Sequence, residues 1–100
     1  MADIGIRVVA RVVAKARSVE PVREALIGQV APTRAEAGCL RYDLMQNVAD
    51  PTDFTFYEEW TSAAALEAHA ASAHLARSRV LLEGHLVVPA DVRQYALIGG

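Results

Sequence analysis

LRYDLMQNVADPTDFTFYEEW, residues 40–60, reads as two strands and the turn that joins them. Leu40, Tyr42, Leu44 and Val48 alternate with Arg41, Asp43 and Asn47, the period of a strand with one buried face. Ala49-Asp50-Pro51-Thr52-Asp53 then supplies turn chemistry, and the aromatic, alternating run from Phe54 to Trp60 pairs back as a hairpin. Upstream, Ile6, Val8, Ala10, Val12 and Ala14 alternate with Arg7, Val9, Arg11, Val13 and Lys15, which predicts a first strand within residues 4–15.

Between that strand and the hairpin, Ser18 offers an N-cap, Pro21 suits a first helical turn, and Val22, Ala25, Leu26 and Val30 recur at helical spacing. Pro32 removes the bond back to Gly28 and predicts a kink, and Gly38 ends the segment in a left-handed conformation. Downstream, Thr61 or Ser62 can cap an alanine-rich helix through Ala70, and Ser72 can cap another that runs to Gly84. Beyond Pro89, the stretch Val92 to Ile98 alternates as a last strand. The order is βαββαβ, an α+β domain spanning residues 1–100, with an antiparallel four-stranded sheet covered on one side by helices. On the other side Val9, Val13, Met45 and Tyr57 lie beside Arg7, Arg11, Asp43 and Glu59, a half-apolar, charge-balanced face that the sheet of a second copy covers in a homodimer.

Composition narrows the partners. With 53% hydrophobic and 22% charged residues the chain is too apolar for disorder and too interrupted by charge to span a membrane. A net charge of −2 with scattered arginines gives no field for nucleic acid. The lone Cys39 cannot form an internal disulfide, and the start lacks a basic segment followed by a long apolar run, so the expected location is cytoplasmic.

Polar residues on the face turned toward the helices mark a pocket for a small molecule. Glu58 shares that face with Phe54, Phe56 and Trp60, Gln46 sits with Leu44 and Val48, and Gln94 lies between Val92 and Ala96. Two readings of Glu58 stay open: a carboxylate paired with an arginine or capping a helix, or a pocket acid whose pKa burial raises. Trp60 and Tyr42 have a similar double reading, as core aromatics or as groups whose polar tips meet a ligand. His69 and His74 are five apart, well over a quarter turn on one straight helix, so no helical metal pair is expected. Cys39 falls on the mixed face, away from any ligand spacing, and no phosphate loop, nucleophile elbow or dinucleotide fingerprint is present. The expected cofactor and metal content is therefore none.

The segment Gly38-Cys39-Leu40-Arg41-Tyr42-Asp43-Leu44, then Asp50-Pro51, Phe54, Tyr57-Glu58-Glu59-Trp60 and the pair His69 and His74 around Ser72, resembles the antibiotic biosynthesis monooxygenase family. Ala31-Pro32-Thr33-Arg34-Ala35-Glu36 extends the resemblance, which covers nearly the whole chain. It implies a ferredoxin-like subunit and a dimeric α+β barrel. It also implies oxidation of a quinol, phenol or polycyclic aromatic by dioxygen without flavin, haem or metal. In that scheme His69, Glu58 and Trp60 are the catalytic residues, and Tyr42, Phe56, His74, Gln46 and Gln94 bind the substrate. Haem degradation fits less well, because no asparagine lies between Ile4 and Lys15 and residues 73–83 offer only His74. The alternative is a non-oxidative isomerase or lyase, or a binding protein, that uses the same pocket.

Overall fold

The computed structural model describes residues 3–100. Along it run β1 (Ile6–Val13), a 3-10 turn at Ala16–Ser18, α1 (Val19–Arg34), β2 (Cys39–Gln46), β3 (Asp53–Trp60), α2 (Ala63–Ala70), α3 (Ala73–Leu82) and β4 (Asp91–Tyr95). The strands form one sheet in the order β2-β3-β1-β4, every neighbouring pair antiparallel. This is the ferredoxin-like α+β arrangement expected from the βαββαβ order.

Alternation along the strands sets the two faces. Val8, Ala10 and Val12 of β1 and Phe54, Phe56, Glu58 and Trp60 of β3 are buried on one side, where Val22 and Leu26 of α1 pack on the apolar members of this set. Ser62 and Ser72 cap α2 and α3 by accepting from the backbone N–H of Ala65 and Leu75, so the second helical region is two helices. On the opposite face Val9, Val13 and Tyr57 are half-buried, and Met45 is 50% exposed.

Four local expectations are corrected. A bulge in β2 between Cys39 and Arg41 sets Cys39 opposite Trp60, so the thiol packs against the helix-side core and not on the mixed face. The residue it inserts, Leu40, is 40% exposed and does not share the buried side of Tyr42. Strand β4 ends at Tyr95, short of Ile98, because Tyr95 pairs with Arg7 and its one partner strand β1 begins at Ile6. Ser18 stands at the N-cap of α1 without a capping bond, its hydroxyl being 2.9 Å from His85 Nδ1.

Pro32 lies in the last turn of α1, which continues to Arg34. Gly38, at φ 87°, turns the chain into β2 as expected, and a Cβ there would lie 2.6 Å from that of Ala65. Among the described residues no helix is long and apolar enough to cross a membrane.

Candidate functional site

The strand register draws the polar residues of the helix-facing side into one row. Tyr42 of β2 pairs with Glu58 of β3, Glu58 with Val8 of β1, and Val8 with Gln94 of β4. The adjacent row is Leu44, Phe56, Ala10 and Val92. Because Ala10 is small, the helices above these rows do not fill the space, and a cavity of about 420 Å³ remains. That volume suits a small organic ligand. Apolar side chains make most of its wall, with Tyr42, Glu58, His69 and Gln94 among its polar points.

Glu58 is 3% exposed and has no cationic partner; its Oε1 accepts the indole N–H of Trp60 at 2.9 Å. Burial pushes its pKa up to about 7, against the Trp60 bond, which favours the carboxylate, while the charge of Glu36 adds to the rise. The carboxyl is thus poised to give or take a proton near neutral pH. The arginine-pair and helix-cap readings do not hold.

Tyr42 is buried, with its ring stacked on Phe56 at 4.7 Å between centroids. Its hydroxyl accepts from Gln29 Nε2 at 3.0 Å, and Gln29 Oε1 in turn accepts from the Ser78 hydroxyl. Burial, followed by the charge of Glu58, raises the phenol's pKa well above its ordinary value. Tyr42 therefore keeps its phenol proton and is not a base.

His69 lies at the end of α2 with its ring tilted 4.8 Å from that of Trp60 and edge-on to Tyr42 at 5.5 Å. Its Nδ1 is 2.9 Å from Glu36 Oε2, a carboxylate that can only accept, so Nδ1 carries the proton. The nitrogen left for a ligand in the cavity is Nε2, as a lone pair. Burial lowers the imidazole's pKa, opposed by the charge and hydrogen bond of Glu36. A neutral ring held by a carboxylate in this way can accept a proton from a bound hydroxyl.

The other residues singled out from sequence divide. Phe56 and Gln94 line the cavity. Trp60, fully buried, stands behind the cavity wall, where it holds Glu58 and packs against His69. His74 is also outside the wall, on α3, with Nε2 3.0 Å from the second oxygen of Glu36. Gln46 is exposed at the far end of β2 and donates to the carbonyl of Pro51 at 2.8 Å, so it takes no part.

Sequence reasoning missed Glu36, Gln29, Ser78 and Thr33. Gln29 and Thr33 continue the buried stripe Val22, Ala25, Leu26 of α1 at helical spacing, and a polar residue there was a readable signal. Ser78 sits likewise between Leu75 and Leu82, which with it line the cavity from α3. Glu36 falls in the turn after α1, where no periodicity marks it.

The chain matches the family model described as antibiotic biosynthesis monooxygenase over residues 5–79. A Mycobacterium tuberculosis protein named "Putative monooxygenase Rv0793" is 32% identical over 87 residues, 87% of this chain and 85% of its own length. Among solved structures, PA3566 from Pseudomonas aeruginosa is 32% identical with a TM-score of 0.90, covering 99% of both chains. The structure of Rv0793 has a TM-score of 0.87 at 28% identity, covering 95% of this chain and 96% of that one. A match that runs from the approach to β1 into α3, joined to this level of identity across the chain, makes the protein a member of the antibiotic biosynthesis monooxygenase family.

Proposed function

We propose that the protein is a cofactor-independent monooxygenase that oxidises a quinol, phenol or polycyclic aromatic with dioxygen. The observation that carries this reading is the imidazole of His69, held by Glu36 at 2.9 Å, on the wall of a mostly apolar cavity beside Glu58. His69 Nε2 takes the hydroxyl proton of a bound phenol. The resulting phenolate is electron-rich enough to pass one electron to dioxygen, and the radical pair combines to a peroxide at ring carbon. Loss of water from that peroxide leaves one oxygen atom in the product as a carbonyl and the other in water, with Glu58 supplying or receiving the proton. The chain's own task is to exclude water, orient the ring against Phe56 and Tyr42, and stabilise the anion.

Two chains joined through their uncovered sheet faces form the working unit, a dimeric α+β barrel in the cytoplasm. The half-apolar character of Val9, Val13, Met45 and Tyr57 supports that pairing.

Oxygen uptake by metal-stripped protein with hydroquinones and anthrone-type phenols, with mass spectrometry under labelled dioxygen, tests the reaction. Uptake above autoxidation with one labelled atom in the product is expected. No uptake and no labelled product across the panel would end this reading. A proton-shuttling isomerase or lyase of a small carbonyl compound is the second reading, favoured by an acid near neutrality and a neutral imidazole on one cavity. It would turn over without oxygen.

A further inference from the structure

We infer that Glu36, His69 and His74 form a binding site for one divalent transition-metal ion, of the zinc or cobalt class, behind the cavity wall. The three residues come from three elements: the turn after α1, the last turn of α2 and the first turn of α3. The break between α2 and α3 turns His74 back toward His69, with ring centroids 6.1 Å apart, an approach that one continuous helix would forbid.

One ligand atom of each residue lies within 4.8 Å of the other two. The carboxylate of Glu36 sits between the imidazoles, Oε2 at 2.9 Å from His69 Nδ1 and Oε1 at 3.0 Å from His74 Nε2. Ligand atoms each about 2.0–2.2 Å from a shared tetrahedral ion stand about 3.4 Å apart, so both oxygen–nitrogen separations lie within about half an ångström of coordination. Thr33 Oγ1 at 3.2 Å and Ser72 Oγ at 3.3 Å also lie beside His74 Nε2, polar neighbours that hold this ring with its Nε2 toward Glu36.

Side-chain exposures of 7% for His69, 14% for His74 and 17% for Glu36 describe a sheltered but open place, where an ion could keep a water ligand. Two imidazoles and a carboxylate favour zinc, cobalt or nickel over magnesium or calcium, which prefer all-oxygen sets. Binding through His69 Nδ1 would move that ring's proton to Nε2 and turn it from acceptor to donor on the cavity side. This consequence, which rests on the proposed reaction, makes the ion an inhibitor of it.

The site itself is tested without substrate, so its failure is separate from that of the oxidation. Chelator-treated protein is titrated with Co²⁺ and followed by visible absorption, with Zn²⁺ as competitor and elemental analysis for stoichiometry. One saturable equivalent is expected, displaced by Zn²⁺ and weakened at least tenfold in His74→Ala and in Glu36→Gln. His74→Ala changes the less buried imidazole, and circular dichroism checks that both variants fold. Absence of a saturable band in the parent protein would overturn the inference. So would unchanged affinity in folded His74→Ala, which would place the ion elsewhere.

Discussion

Replacing Glu58 with glutamine keeps the shape of the side chain and an oxygen for the Trp60 indole, but removes the group that titrates. In the unfolded chain the carboxyl has an ordinary pKa of 4.5, and in the folded protein it is raised to about 7. Between those values the folded state holds the extra proton. Stability from this group is therefore full at low pH, declines as pH rises above 4.5, and reaches its floor above 7. At about 1.36 kcal/mol per pKa unit, the loss between pH 5 and pH 8 is about 2 to 3 kcal/mol. Urea unfolding of both proteins at matched concentration, in steps across that range, measures it. The advantage of Glu58→Gln over the parent should grow by this amount as pH rises, while contributions from the histidines cancel in the difference. A difference flat from pH 5 to pH 8 would refute the argument that burial without a cation governs this carboxyl.

Tyr42→Phe leaves Gln29 Nε2 without its buried acceptor and should cost about 1 to 3 kcal/mol in urea unfolding; no loss would show that the Gln29 bond contributes nothing. Ala10→Leu fills the floor of the cavity between Phe56 and Val92, so it should raise the KM for a quinol substrate at least tenfold while costing no more than about 1 to 3 kcal/mol of stability. An unchanged KM would mean that the ligand sits elsewhere. Gln94→Ala should raise KM by about fivefold, as for one lost hydrogen bond of about 1 kcal/mol. Gln46→Ala should leave KM unchanged, and the reverse order would contradict the placement of these two amides.

What could be read from the sequence follows from which signals are local. The alternations at Ile6–Val13 and Phe54–Trp60 and the caps at Ser62 and Ser72 are local, and they gave the strands and the helix break. Gln46 was misread because alternation fixes a face, not a distance along it: its row partner is Phe54, away from the Tyr42–Glu58 row. Cys39 and Leu40 were assigned to the wrong faces because a bulge inserts one residue with no mark in the pattern. The two histidines were placed on one helix when judged for metal binding, although Ser72 between them already signals the second start. Glu36 reaches His69 and His74 only through tertiary packing, and no periodic reading could join them.

The site also explains why an apolar sheet tolerates so many buried polar groups. Gln29, Ser78 and Tyr42 satisfy one another, Trp60 satisfies Glu58, and Glu36 satisfies His69; among the described residues no buried side-chain nitrogen or oxygen lacks a partner. Two of these bonds leave a function over: the second oxygen of Glu58 and Nε2 of His69. Structural need accounts for the bonds that are made. It does not account for Tyr42, Glu58 and His69 all lining a single cavity above the one small residue of the central strand. Packing alone would have favoured a larger side chain at Ala10 and an apolar one at Glu58, so these two positions are where the proposed reaction accounts for what close packing does not.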